Sequence, residues 1–410
     1  MNSKQIFELA LALQKPWFIE DIKMSVPDGH INGIVDIYLN FESGFKFKNS
    51  DGTPAKVHDT VSRSWQHLNF FQHTCYLHAR LPRIVNSDNK VVNVEVPWAR
   101  PGSGFTLLFE AFSMLLIESE MPVNSAAEIM RVYPNRIWRI FNHWIQRATT
   151  SDIQDKVKTL GIDETSTKKG HNYVTVAVDM DERRVIFVTP GKGAECIEKL
   201  QVHLESKNTL KEQIEQVCID MSPSFISGVT NSFPEAEITF DKFHTVKVVN
   251  EAMDTVRKLE RREFAMLKGH KYTFLKNHNS LNAEQKGTKY RLLELYPVIA
   301  NAYRLKELFN ELWNFKNIDE AGAFLAYWID EVHDSGIEPF KRSANTLLAH
   351  WSGIINYANS GLNNGILEGI NSKIQLAKKR ARGYRNIKNF MNMIHFIAGK
   401  LTFDYPLYST

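Results

Sequence analysis

The chain has 410 residues, enough for two to four domains each with its own core. Hydrophobic residues make up 43% and charged residues 23%, which excludes a disordered or fibrous protein, and no apolar run reaches the roughly 18 residues of a membrane helix. A net charge of +4 settles no partner by itself, and three scattered cysteines (Cys75, Cys196 and Cys218) argue against a disulfide framework and against a thiolate zinc site. The amino terminus shows no cleavable-signal pattern, so a reducing, cytoplasmic setting without a membrane is expected.

Residues 4–14 read as a short amphipathic helix. Ile31–Asn40 and Thr74–Arg80 alternate like strands, and Asn49-Ser-Asp-Gly52 and Asn86-Ser-Asp-Asn89 mark turns. Residues 1–100 are therefore expected to form a small β-rich module. The pattern turns helical at Phe105. Phe105–Glu118 is one apolar-faced segment. Asn124 with Glu128 reads as an N-cap opening a second helix, and Asn135–Arg147 forms a third after the break at Val132-Tyr-Pro-Asn135. A short helix, a tight turn and a longer helix bearing Arg136, Arg139 and Arg147 resemble a helix-turn-helix over 101–150, with those arginines as DNA contacts. A small packing bundle has the same periodicity.

The middle of the chain is clearest. Val157–Glu164, Asn172–Asp179 and Arg184–Pro190 read as strands, the last two joined by a connection short enough for a hairpin. Helix Gly193–Ser206, strand Glu215–Asp220, helix Pro223–Ser232 and strand Ala236–Asp241 follow. The order β-β-β-α-β-α-β predicts a mixed α/β domain with a five-stranded, ribonuclease-H-like sheet beginning near 151 and running to about 245. Helical periodicity then dominates 246–360 through Val246–Leu267, Ala283–Lys306 and Ile318–Val332, an all-helical insertion. Its aromatics (Tyr303, Phe309, Trp313, Phe315 and Trp328) suit a core. Residues 361–410 return to the catalytic sheet with basic helices.

Three acids occupy distinctive places. Asp163 and Asp220 close apolar strands, and Glu368 opens a basic helix. Carboxylates so placed suit divalent metal ions for phosphodiester chemistry: Mg²⁺ (or Mn²⁺) takes oxygen ligands, and two ions serve one site. Glu164 adjoins Asp163 but is expected on the opposite sheet face. Between Gly369 and Phe403 there is no acid, while Lys373, Lys378, Lys379, Arg380, Arg382 and Arg385 crowd together, a stretch that suits a polyanion. A second cluster (Arg257, Lys258, Arg261, Arg262, Lys268 and Lys271), diluted by Glu260 and Glu263, reads equally well as a solvated face.

Several of these segments together resemble the ISL-three family of insertion-sequence transposases. They are Gly161-Ile-Asp-Glu164, Lys169-Gly-His-Asn-Tyr173, Ile219-Asp-Met-Ser-Pro223, Phe240-Asp-Lys-Phe-His244, Asn364-Gly-Ile-Leu-Glu-Gly-Ile-Asn371 and Lys379-Arg-Ala-Arg-Gly-Tyr-Arg385. The resemblance covers about residues 155–400. It implies that Asp163, Asp220 and Glu368 form a DDE triad, and that the partners are terminal inverted repeats and target DNA. It also implies a homodimer or larger assembly on DNA in a prokaryotic, nucleoid-associated setting. A non-catalytic DNA-binding descendant and a ribonuclease-H-like nuclease without strand transfer are the alternatives. Asp241 and His244 form a shared element for which helix capping and metal proximity are equally open, and neither is counted as a ligand. The family's two Cys-x-x-Cys pairs are missing, replaced in Phe47-Lys-Asn-Ser-Asp-Gly52 and Val85-Asn-Ser-Asp-Asn89, so no zinc is expected there. His58, His67 and His73 lack a ligand spacing and are expected to be structural.

Overall fold

Alternating apolar residues in the first hundred positions pair into one twisted sheet. It comprises β1 (Trp17–Ser25), β2 (Ile34–Phe41), β5 (Val57–Phe70), β6 (His73–Val85) and β7 (Val91–Asn93), with a small hairpin of β3 (Phe47–Lys48) and β4 (Pro54–Ala55) beside it. The strand order is β1-β2-β6-β5, with β7 on β6; β2 and β6 run parallel and the other pairs antiparallel. The structure is a computed structural model that describes residues 3–26, 28–29, 31–49, 51–167, 172–276, 278–362 and 365–405. It divides into two compact units, Met1–Ala148 with Thr402–Thr410, and Thr149–Leu401.

In the first unit, α1 (Ser3–Ala10) packs on β1. The sheet core gathers Trp17, Val35, Ile37, Leu39, Trp65, Leu77 and Trp98, with Trp98 edge-on to Trp17 at 4.9 Å and to Trp65 at 5.8 Å. His67 and His73 are structural: His73 Nδ1 accepts the Gly33 N–H at 2.9 Å, and His67 Nδ1 lies 2.8 Å from the Thr106 hydroxyl.

Three helices follow, α2 (Leu107–Glu118), α3 (Val123–Ile129) and α4 (Pro134–Ser151). Thr106 caps α2 through the Phe109 N–H. The cap expected at Asn124 is not formed: Asn124 lies inside α3, whose N-cap is Pro122 with no side-chain bond. The break before α4 is where Pro134 requires it, since a helix tolerates proline in its first turn. Glu110, wholly buried, accepts from Arg100 Nε (2.9 Å), Ser103 Oγ (2.6 Å) and Trp144 Nε1 (2.8 Å), which ties α2 to α4.

The second unit holds a five-stranded sheet in the order β10-β9-β8-β11-β12. Its strands are β8 (Thr159–Ser166), β9 (Tyr173–Asp179), β10 (Arg184–Pro190), β11 (Gln216–Ile219) and β12 (Glu237–Phe240). The first three form an antiparallel meander; β11 is parallel to both β8 and β12, because α5 (Ala194–Ser206) and α6 (Pro223–Ser232) carry the chain back between them. One face packs Leu160, Ile162 and Ala177 against α5 and α6. The other packs Val174, Val176 and Val178 against α15 (Gly365–Arg380) and α16 (Ile387–Ala398).

Between β12 and α15 lie α7 (Lys242–Glu260), α8 (Lys271–Leu275), α9 (Ala283–Leu295), α10 (Pro297–Asn310), α11 (Ile318–Asp334), α12 (Glu338–Ala349), α13 (Trp351–Ile355) and α14 (Tyr357–Ser360). The segment expected as one helix over Ala283–Lys306 is two, because Pro297 starts α10. These helices share one apolar core with the sheet rather than forming a lobe of their own: Phe309, Trp328, Phe340 and Leu347 belong to the same cluster as Ile219 and Phe240. Asn356 Nδ2 also donates to Ile238 O (3.2 Å) and Thr239 Oγ1 (3.0 Å) on β12.

Burial pushes His67 in the first unit and His395 in the second each down to about 4. Unfolding frees both rings to take a proton below about pH 6.5, so the folded state loses stability as the pH falls from about 6.5 toward 4. At pH 5 each is expected to cost roughly 2 kcal/mol relative to pH 7.5. Urea midpoints of wild type and His67→Gln over that range check this for the first unit. Parallel pH profiles for the two proteins would refute it.

Candidate active site

Asp163 and Asp220 come together through strand register. In the parallel pair, Gly161 faces Cys218; two residues further along each strand stand Asp163 and Asp220. Parallel neighbours in register point to the same face, so the two carboxylates leave the sheet together. Asp163 does not end its strand as expected: β8 continues to Ser166, paired with β9, after β11 has stopped at Ile219. The acids therefore stand where β11 gives out and β8 runs on, a crevice at the carboxyl ends of parallel strands.

The third acid reaches this crevice on α15. Asp163 shares a face with Gly161 and Thr165, and that face meets α15. Three side chains on one stripe of the helix bind three consecutive points of β8. Asn371 Nδ2 donates to Asp163 Oδ2 (2.7 Å), Gln375 Nε2 to Thr165 Oγ1 (3.0 Å), and Lys378 Nζ to Ser166 O (2.7 Å). Glu368 stands one turn before Asn371 and so opens onto the same cavity of about 700 Å³. Leu367, buried beside it, packs where Gly161 has no side chain: a Cβ there would lie 2.8 Å from Leu367 Cδ1 and 2.5 Å from Met180 Sδ.

Five carboxylates line this cavity (Asp163, Glu164, Asp220, Asp241 and Glu368), with His244 and, among the described residues, no lysine or arginine. Burial raises Asp163, and the nearby Asp220 adds to the rise, against the Glu164 N–H, His244 and the Asn371 amide. Burial likewise raises Glu164, opposed first by Lys192. Glu164 thus belongs to the cavity despite lying on the other face of β8, because the cavity wraps the strand beyond the end of β11. Asp241 caps α7 through the Phe243 N–H at 3.2 Å and holds His244 Nδ1 at 3.0 Å; that hydrogen bond raises His244.

The donor set is oxygen-rich and short of positive charge, which suits Mg²⁺ or Mn²⁺. Among the described residues no three acid, imidazole or thiol side chains stand together as a ready-made metal cage. Magnesium does not require one, since it binds through one or two carboxylates and fills its shell with water and phosphate oxygens. Asp163, Asp220 and Glu368 fit that mode.

The basic residues separate. Lys378 is turned inward onto Ser166, so it serves the fold instead of facing DNA. Lys373, Lys379, Arg380, Arg382 and Arg385 are exposed. Arg139 is exposed on α4, Arg136 lies over the Phe105 ring at 4.2 Å, and Arg147 forms an ion pair with Asp404. In the second cluster Arg257 and Lys258 both pair with Asp254, and Arg257 is buried, so it is not part of a solvated face. Asn371, Gln375 and Gly161 were missed as site residues. The spacing Glu368, Asn371, Gln375 and Lys378, at helical intervals on one face, was the available signal. Residues 169–171 of the Lys169–Tyr173 segment, and Asn364 of the Asn364–Asn371 segment, lie outside the described residues.

Comparison with known proteins matches residues 160–394 to the ISL3-type transposase profile. Residues 94–145 match the helix-turn-helix domain of transposase family ISL3, and residues 51–85 match the zinc-finger of the transposases of IS204, IS1001, IS1096 and IS1165. The chain is 27% identical over 345 residues to the transposase for insertion sequence element IS1001 of Bordetella parapertussis, covering 82% of this chain and 84% of that one. It is 25% identical over 418 residues to the transposase for IS1557 of Mycobacterium tuberculosis, covering 94% and 93%.

Proposed function

This chain belongs to the ISL3 family of insertion-sequence transposases and carries the family's DNA-binding helix-turn-helix, and on that premise we propose that it cuts DNA at the ends of its element and joins them to a target. The observation that carries the proposal is the convergence of Asp163, Asp220 and Glu368 on one acid-lined cavity. The meander of three antiparallel strands extended by two parallel ones supports a ribonuclease-H-like reading of the sheet.

Two Mg²⁺ (or Mn²⁺) ions, held by these three carboxylates, would neutralise the transferring phosphate and lower the pKa of the attacking oxygen. In the first step a water oxygen attacks phosphorus at the element's end and the 3′-oxygen leaves as a hydroxyl. In the second that 3′-hydroxyl attacks a target phosphodiester, forming the new bond and releasing the target's 3′-hydroxyl. Asn371 holds Asp163 in a single orientation throughout, and His244, held by Asp241, offsets part of the negative charge. Arg139 and the exposed cations after Glu368 would hold DNA phosphates. Pairing of two ends makes a dimer or larger assembly the working form.

The direct test incubates purified protein with Mg²⁺ and DNA carrying the element's terminal inverted repeats. Cutting and joining are expected. Binding without either would establish a non-catalytic descendant, and cutting without joining a nuclease. Asn371→Ala is expected to leave DNA binding intact while raising the half-saturating Mg²⁺ concentration about 10- to 100-fold. An unchanged metal titration would mean that Asn371 does not hold Asp163 for the metal.

A further inference from the structure

The first unit carries a second cavity, of about 500 Å³, whose charge is opposite to that of the acid site. Its charged lining residues are Lys46, Lys56 and Arg80, with Phe45 on the wall and, among the described residues, no carboxylate. The hairpin of β3 and β4 explains how two of these meet. Phe47 pairs with Ala55 at the open end of it, and Lys46 and Lys56 are the next residues beyond that pair. Arg80 joins them from β6, opposite Ser62, and donates to the Thr60 hydroxyl at 3.5 Å.

Like charges gathered around one cavity repel, and folded proteins ordinarily separate or neutralise them. Two nearby carboxylates have other cations as partners: Glu42 lies 3.7 Å from Lys15, and Asp59 is bound by Arg83. All three cations are exposed, and among the described residues Lys46 and Lys56 have no ion-pair partner. Phe45 is held in place edge-on to Phe47 at 5.0 Å while remaining partly open to solvent, so the wall beside the cations is rigid and apolar.

We propose that Lys46, Lys56 and Arg80 form a DNA-backbone-binding surface on the β-rich module, separate from the helix-turn-helix, that takes two or three consecutive phosphates. A repulsive trio kept without acids has a use once a polyanion lies across it, and spaced phosphates offer the matching charge. Because the groups are cations on a β surface and no base-reading helix accompanies them, the surface adds affinity without sequence preference. This rests on the DNA-processing function proposed above.

The test uses the full-length chain with Lys46→Gln, Lys56→Gln and Arg80→Gln combined, titrated against a random-sequence duplex and a duplex carrying the element's end at several salt concentrations. Each lost phosphate contact reduces the slope of log affinity against log salt by about 0.9, so the slope is expected to fall by about 2 to 3 and both duplexes to weaken by the same factor, more than about tenfold. The thermal midpoint should stay level or rise, since repulsion has been removed. A wild-type slope in the triple variant overturns this surface while leaving the function proposed above intact. Weakening confined to the end sequence also overturns it, as that would make the residues base readers. Failure of the wild type to bind either duplex overturns both proposals.

Discussion

Asp220→Asn should bind end DNA at least as tightly as the wild type and lose strand cleavage by about a thousandfold or more. A thousandfold loss corresponds to about 4 kcal/mol of transition-state stabilisation, in the range expected when a metal-holding charge disappears from a phosphoryl-transfer site. The binding half of the result follows from the cavity's own field. Five carboxylates gathered in one cavity repel a DNA phosphate brought to them, so converting one to a neutral amide removes repulsion from the bound complex. The shape should hold, because Asp220 Oδ1 accepts the Ser222 N–H at 2.9 Å and an asparagine carbonyl can accept it as well. Cleavage by Asp220→Asn at wild-type rates would remove this acid from the chemistry. Loss of both binding and cleavage would point to misfolding, which a thermal midpoint distinguishes.

The second large effect is expected at a residue with no side chain. Gly161→Val should lower stability by about 1 to 3 kcal/mol and abolish cleavage with little loss of DNA binding. A Cβ at position 161 lies within 2.8 Å of Leu367 Cδ1, and Leu367 immediately precedes Glu368 on α15. Met180 Sδ is closer still, at 2.5 Å, so the two side chains are pressed apart, and α15 is expected to rise from β8 and carry the acid with it. Leu367→Ala in the same chain opens the space again. The double variant is therefore expected to recover part of the cleavage lost by Gly161→Val, a coupling of the kind shown by residues in direct contact. Strictly additive losses would mean that the two residues do not communicate.

The second unit was the more legible in sequence. β10 and α6 lie at the expected residues, since a four-residue hairpin connection and a proline at the start of a helix are strong local signals. β1 was not expected. Its sequence Trp-Phe-Ile-Glu-Asp-Ile-Lys-Met-Ser breaks alternation at a bulge between Ile19 and Asp21, so apolar residues no longer fall at every second position. The candidate site was legible in its acids and opaque in their support. Nothing local to Asn371 says that its amide meets Asp163, because that contact depends on which face α15 presents to β8. Lys378 misled for the same reason: in a run of cations its partner, a backbone carbonyl at the end of β8, leaves no trace in sequence. Alternation along β8 sets Glu164 apart from Asp163, yet both line the one cavity, which takes in the strand end.

The hydrogen bonds from Asn371, Gln375 and Lys378 to β8 act as a graduated scale for the third acid. Its position is measured from β8 and not along the chain that leads to it. Residues added or removed in the helical stretch before α15 would leave Glu368 where it is, provided the shared core survives. Removing a single residue between Glu368 and Asn371 would swing the carboxylate about 100° around the helix axis. A chain built this way tolerates change along the long route between Asp220 and Glu368 and little in the last short turn.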